Sequence, residues 1–80
     1  MEPIKRIRDF IINNYLFGDV DKLKSNTNLF KEGIIDSTGV IELISFIENT
    51  FNITVKDEDL IMDNFSSLVN ISNFIISKSN

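Results

Sequence analysis

The chain contains neither cysteine nor histidine. The first absence rules out a disulfide framework, a thiolate metal site and a cysteine nucleophile. The second removes every Ser-His or Cys-His pair, and with them the usual hydrolytic and zinc chemistries. Alanine is also missing, proline occurs once and glycine three times. Gly18, Gly33 and Gly39 have neither Walker nor dinucleotide-binding spacing, so no loop of this chain is built to cradle a nucleotide phosphate. No stretch approaches the roughly 20 apolar residues of a membrane span. The start, Met1-Glu2-Pro3-Ile4-Lys5-Arg6, lacks the apolar run of a secretory signal. A cytoplasmic protein with no membrane partner is expected.

What remains is a short, apolar-rich and acidic chain. Its 80 residues suit one domain, residues 1–80, and the 42% apolar fraction supports a small helical core. A chain of this size buries only roughly 60% of its unfolded surface. The net charge of −4 is unevenly spread. Residues 32–63 hold eight acids against Lys56 alone, whereas the first 31 residues are slightly basic. An acidic middle repels nucleic acid and suits partners with basic docking patches, or simply keeps a small protein solvated.

Apolar periodicity predicts three main helices. The first covers residues 3–16, with Ile4, Ile7, Ile11, Ile12 and Tyr15 inward, Phe10 on the flank and Arg8 on the wet side. A long connection, residues 17–35, follows. Its Leu23, Leu29, Phe30, Ile34 and Ile35 are expected to pin it across the helices, with turn chemistry at Ser25-Asn26-Thr27-Asn28. The central helix runs from Ser37 to Phe51, with Val40, Leu43, Ile44, Ile47 and Phe51 on its inner stripe. Ile53-Thr54-Val55 reads as an extended linker with both apolar residues inward. A short helix is expected over Asp57–Met62, its acids favoured by the helix dipole. The last helix, residues 67–77, is expected to be capped by Ser66, with Leu68, Ile71, Phe74 and Ile75 buried. The fold class is an all-α bundle of three main helices and a short fourth.

The candidate site is the start of the central helix. Asp36 and Ser37 both belong to the residue types that open helices, so Ser37 reads locally either as a cap or as an exposed functional hydroxyl. Asp36 beside Ser37 is no catalytic dyad, because an ordinary carboxylate is a weak base for a hydroxyl. Gly39, inside the first turn, costs roughly 1 kcal/mol against alanine. Either it permits a close backbone approach, or the capped turn tolerates it. Asp57-Glu58-Asp59 lacks EF-hand spacing and reads as a solvated helix start rather than a metal site.

Asp36-Ser37, the apolar-and-acidic helix after it, Phe51 and the Ile53-x-Val55 tail together resemble the acyl carrier protein family. Tyr15-Leu16-Phe17-Gly18-Asp19 and Glu32 to Val40 resemble a stand-alone bacterial subgroup, and the resemblance runs over residues 4–77. It implies an acyl-carrier-like bundle that catalyses nothing itself. Ser37 would carry a 4'-phosphopantetheine arm, transferred from coenzyme A by a phosphopantetheinyl transferase that reads Asp36. The arm would hold an acyl or aminoacyl cargo as a thioester. An AMP-forming ligase and downstream acyl-processing enzymes would be the partners of a monomeric carrier serving fatty acid or secondary metabolite biosynthesis. They would dock on the outer face of the central helix, at Thr38, Ile41, Glu42, Ser45, Glu48 and Asn49. Thr38 stands where fatty-acid carriers usually place leucine. Phe46, if turned inward beside Leu43, would fill space that acyl-sequestering relatives leave open. Both point to a short or polar cargo held in solvent. The competing readings are an unmodified acidic interaction module, and a peptidyl-type carrier excised from an assembly line.

Overall fold

The computed structural model describes residues 2–79, and among them forms three α-helices and no strand. Helix α1 spans Glu2–Tyr15, α2 Ser37–Phe51 and α3 Leu68–Lys78. The core is where their apolar stripes meet. Ile7, Ile11 and Ile12 of α1 pack with Leu43 and Ile47 of α2 and with Leu68, Ile71, Phe74 and Ile75 of α3. Helix ends fall where the backbone chemistry allows. Asn52 closes α2 in the left-handed conformation, a role asparagine fills when glycine is absent. At the end of α1, Phe17 and Gly18 both have positive φ, 52° and 85°. For phenylalanine that conformation costs roughly 1–2 kcal/mol.

The long connection is ordered by its own side chains. Asp19 caps a 3-10 turn at Val20–Lys22, and the Asn28 side chain accepts from Phe30 N and Lys31 N at 3.1 and 2.9 Å. Thr27 Oγ1 accepts from Lys24 N at 2.9 Å, the turn chemistry expected of this stretch. Leu23, Leu29 and Ile35 are buried in the core, and Phe30 and Ile34 pack against it. Two backbone bonds, Leu29 N to Ser66 O and Val69 N to Ser25 O, tie the connection to the entry of α3. Arg8, expected on the wet side, instead donates to Ser25 Oγ at 3.1 Å and is half-buried. Ile53 and Val55 pack against the core as the linker reading required.

Two local expectations are corrected. The short helix over Asp57–Met62 takes the form of two 3-10 turns, Asp57–Asp59 and Met62–Phe65. Short-range bonds take the amides that an α-helix would pair: Leu60 N donates to Asp57 O at 3.1 Å and Ile61 N to Asp59 O at 2.8 Å. The Asp59 carboxylate accepts from Lys56 N at 2.9 Å and caps the first of the turns. The cap of α3 is Ser67 rather than Ser66. Ser67 is extended and accepts from Asn70 N, whereas Ser66 ends the preceding turn and donates to Asp63 O.

Candidate functional site: the N-terminus of α2

Asp36 sets the geometry. Its backbone is extended and its carboxylate accepts from Gly39 N at 2.8 Å, which caps α2 and leaves Ser37 as the first helical residue. Ser37 is exposed. Helical geometry leaves the amides of Ser37 and Thr38 with no intrahelical acceptor, and the dipole makes this end favourable for an anion. Asp36 therefore has a structural task besides any recognition role.

Gly39 is explained by packing inside the chain. A β-carbon there would stand 3.2 Å from Ile35 Cγ2 and 3.4 Å from both Tyr15 Cε1 and Asp36 Oδ1. The close approach belongs to Tyr15 and Ile35. The Tyr15 hydroxyl also donates to the Glu42 carboxylate, so the end of α1 is fastened to the first turns of α2. Burial, and then that hydrogen bond, push the Tyr15 phenol up to about 12.

Of the six residues expected on the partner face, Thr38, Ile41, Glu42, Ser45 and Asn49 are exposed, Ile41 by 68%. Glu48 does not stand free with them. It is half-buried, and its Oε2 accepts from Val55 N at 2.9 Å, which latches the linker to α2. Phe46 does not fill the interior beside Leu43. It is half-buried on the seam between α1 and α2, its ring stacked on Phe10 with centroids 4.2 Å apart.

An apolar groove of about 420 Å³ opens directly beside Ser37. Val40, Ile41 and Ile44 form one wall and Leu60, Ile61, Met62 and Phe65 the other. Leu60, Ile61 and Met62 are 54%, 56% and 67% exposed, an apolar edge to which the periodicity of the sequence assigned no face. The signal was present: three consecutive apolar residues cannot all share the inner stripe of one helix. No cluster of three or more His, Cys, Asp or Glu among the described residues is placed to hold a metal. Nor is any helix among them long and apolar enough to cross a membrane.

The family model for the phosphopantetheine attachment site matches residues 16–75, three-quarters of the chain and the whole of α2 with its flanks. The chain belongs to that family. Its cofactor is thus a covalently attached 4'-phosphopantetheine, and the site suits one: an exposed hydroxyl, unpaired first-turn amides for a phosphodiester, and an open groove alongside. The D-alanyl carrier protein of Bacillus velezensis is 40% identical over 55 residues, which cover 66% of this chain and 70% of that one. The D-alanyl carrier protein of Bacillus subtilis is 36% identical over 55 residues, covering 69% and 70%. A chain in a solved structure described as "Crystal structure of FAD-dependent dehydrogenase" superposes with a TM-score of 0.76 at 26% identity, over 86% of this carrier and 97% of that chain.

Proposed function

We propose that Ser37 is the attachment point of the arm and that the cargo is a small aminoacyl group, D-alanyl in the first instance. The carrying observation is the exposed Ser37 at the capped start of α2, inside the stretch that matches the family. The similarity to two D-alanyl carrier proteins supports the cargo. When bound, the arm supplies a terminal thiol that holds the cargo as a thioester. This chain's residues supply address and presentation. Asp36 holds Ser37 at the helix start and Tyr15 braces that turn. The exposed face from Thr38 to Asn49, with Leu60, Ile61 and Met62, offers an apolar patch beside Asp36 and Glu42 to a phosphopantetheinyl transferase, an AMP-forming ligase and later enzymes. The chain catalyses none of these steps and works as a monomer in the cytoplasm.

The test is intact mass after incubation with coenzyme A and a broad-range transferase. The parent gains one phosphopantetheine; Ser37→Ala gains none and keeps its helical circular dichroism. Modification of the variant would place the arm elsewhere. The groove beside Ser37 favours a second cargo, a short acyl chain lying along Val40, Ile44 and Phe65. Amide shifts of the D-alanyl and octanoyl thioesters separate the two. Shifts confined to Ser37 and its neighbours in both forms support a solvent-held cargo. Shifts at Ile44 and Phe65 that grow with chain length support the groove.

A further inference from the structure

The turn that carries Ser37 is weak as sequence. Ser37, Thr38 and Gly39 open α2, and none of them is a strong helix former. Ser37 and Thr38 are exposed, so packing holds neither side chain. Gly39 is the buried residue of the three, and the position of the turn is set through it. Two groups meet there. The Asp36 carboxylate accepts from Gly39 N at 2.8 Å. From the other side, the Tyr15 hydroxyl reaches Gly39 O at 3.4 Å while donating to the Glu42 carboxylate.

Tyr15 is itself held in place. Its ring stands edge-on to Phe10, with centroids 6.1 Å apart, and covers the side of Gly39 where a β-carbon would stand. Burial, and then the bond to Glu42, keep the phenol protonated at neutral pH and hence a donor. That bond runs from the last residue of α1 to the second turn of α2. Ser37 thus lies between two fixed points, the cap at Asp36 and the tie at Glu42. In arm attachment the Ser37 oxygen attacks the phosphorus next to the pantetheine of coenzyme A. Its proton passes to a base of the transferase, and adenosine 3',5'-bisphosphate leaves. The rate follows the fraction of time that this oxygen is held in line, and a serine on a fraying glycine turn spends less of it there.

We propose that Tyr15 is a positioning residue for arm attachment, holding the Ser37 turn helical through its bond to Glu42 before the transferase arrives. The assignment rests on the carrier reading above. The experiment measures the first-turnover rate with a broad-range transferase and coenzyme A at rising concentrations of unmodified carrier, well below its melting range. Parent, Tyr15→Phe, Glu42→Leu and the double variant are compared. Tyr15→Phe keeps a ring on Gly39 and loses the bond. A purely structural loss would lower the folded fraction, which raises the half-saturating concentration and leaves the saturated rate alone. Positioning does the reverse. The saturated rate of Tyr15→Phe is expected to fall about fivefold or more, with half-saturation within about twofold of the parent's. Amide hydrogen exchange at Gly39 and Val40, read on the carrier alone, is expected to quicken in the same variant. In the Glu42→Leu background, Tyr15→Phe is expected to change the rate little further. An unchanged saturated rate, a loss confined to half-saturation, or unchanged exchange at both amides would overturn the proposal. So would a full Tyr15→Phe effect in the Glu42→Leu background, because the bond to Glu42 would not be the route. A parent that takes up no arm, or a Ser37→Ala variant that does, would sink the carrier reading and this inference with it, before Tyr15 is changed.

Discussion

The groove between α2 and residues 60–65 and the groove between α2 and α1 share Ile41 on their rims, yet they are closed by different forces. On the α1 side, about 540 Å³ of open space is bounded by Phe10 stacked on Phe46, by the Tyr15–Glu42 bond and by polar Ser45 and Asn49. Its apolar groups already face one another. On the other side, Leu60, Ile61 and Met62 face outward from a segment held by bonds within residues 56–64 and fastened to α3 by the Lys78–Asp59 ion pair and by Asn70 donating to Asp63 O. One flank of α2 is braced, and the other is left with unburied apolar surface next to Ser37. The difference assigns the work: the α1 side fixes where α2 begins, and the 60–65 side is where added surface gains most from contact.

The comparison breaks most completely through what lies behind both grooves. Leu43 is fully buried on the inner face of α2. Leu43→Ala is expected to cost about 2–5 kcal/mol, a large share of the stability of so small a domain. Urea unfolding reads it, and retention of the parent midpoint would mean that α2 is rotated from this packing. A smaller effect sharpens the contrast between the flanks. Phe46→Ala removes a stacked ring and is expected to cost about 1–3 kcal/mol, whereas Met62→Ser removes an exposed side chain and should stay within about 0.5 kcal/mol. The same unfolding curves rank them. A reversed order would make the 60–65 edge, and not the aromatic seam, the structural flank.

Much of this arrangement was legible in the sequence. The inner stripes of the three helices follow from 3.6-residue spacing, because burial on one face is what that spacing encodes. The loop's pinning by Leu23, Leu29 and Ile35 follows from isolated apolar residues among turn formers. What escaped depends on groups that periodicity does not see. The α-helix expected over Asp57–Met62 gives way to 3-10 turns, with Leu60 N donating to Asp57 O and Ile61 N to Asp59 O in place of α-helical pairing. Glu48 is drawn off the outer face by Val55 N, a partner seven residues away whose position is set only once the linker has packed. Phe46 sits at the edge of the stripe, where a small rotation decides between core and seam. Phe17 hides for the opposite reason: a left-handed turn is recognised by glycine, asparagine or aspartate, and only half of this one carries that mark.

The finest difference between the flanks is electrostatic: the 60–65 side carries the Lys78–Asp59 ion pair, which holds Asp59 below its ordinary value, and the α1 side a phenol held neutral. Tyr15 is held neutral by burial and by donating to Glu42, so the folded protein binds its phenolic proton more tightly than the unfolded chain, whose value is near 10. A raised pKa on such a group contributes stability that is fully present below about 10 and is lost as pH climbs toward about 12. Above that range the phenolate would face the Glu42 and Asp36 carboxylates across the same contact. Tyr15→Phe removes both the hydrogen bond and the titration. Thermal melts of parent and variant between pH 8 and pH 12 isolate the effect, because the two chains differ only in the Tyr15 hydroxyl. The parent is expected to melt slightly higher at pH 8, and its advantage is expected to shrink through pH 10–12. A difference that stays constant across that range would show that the Tyr15 hydroxyl is solvated and that ring packing on Gly39 alone braces the start of α2.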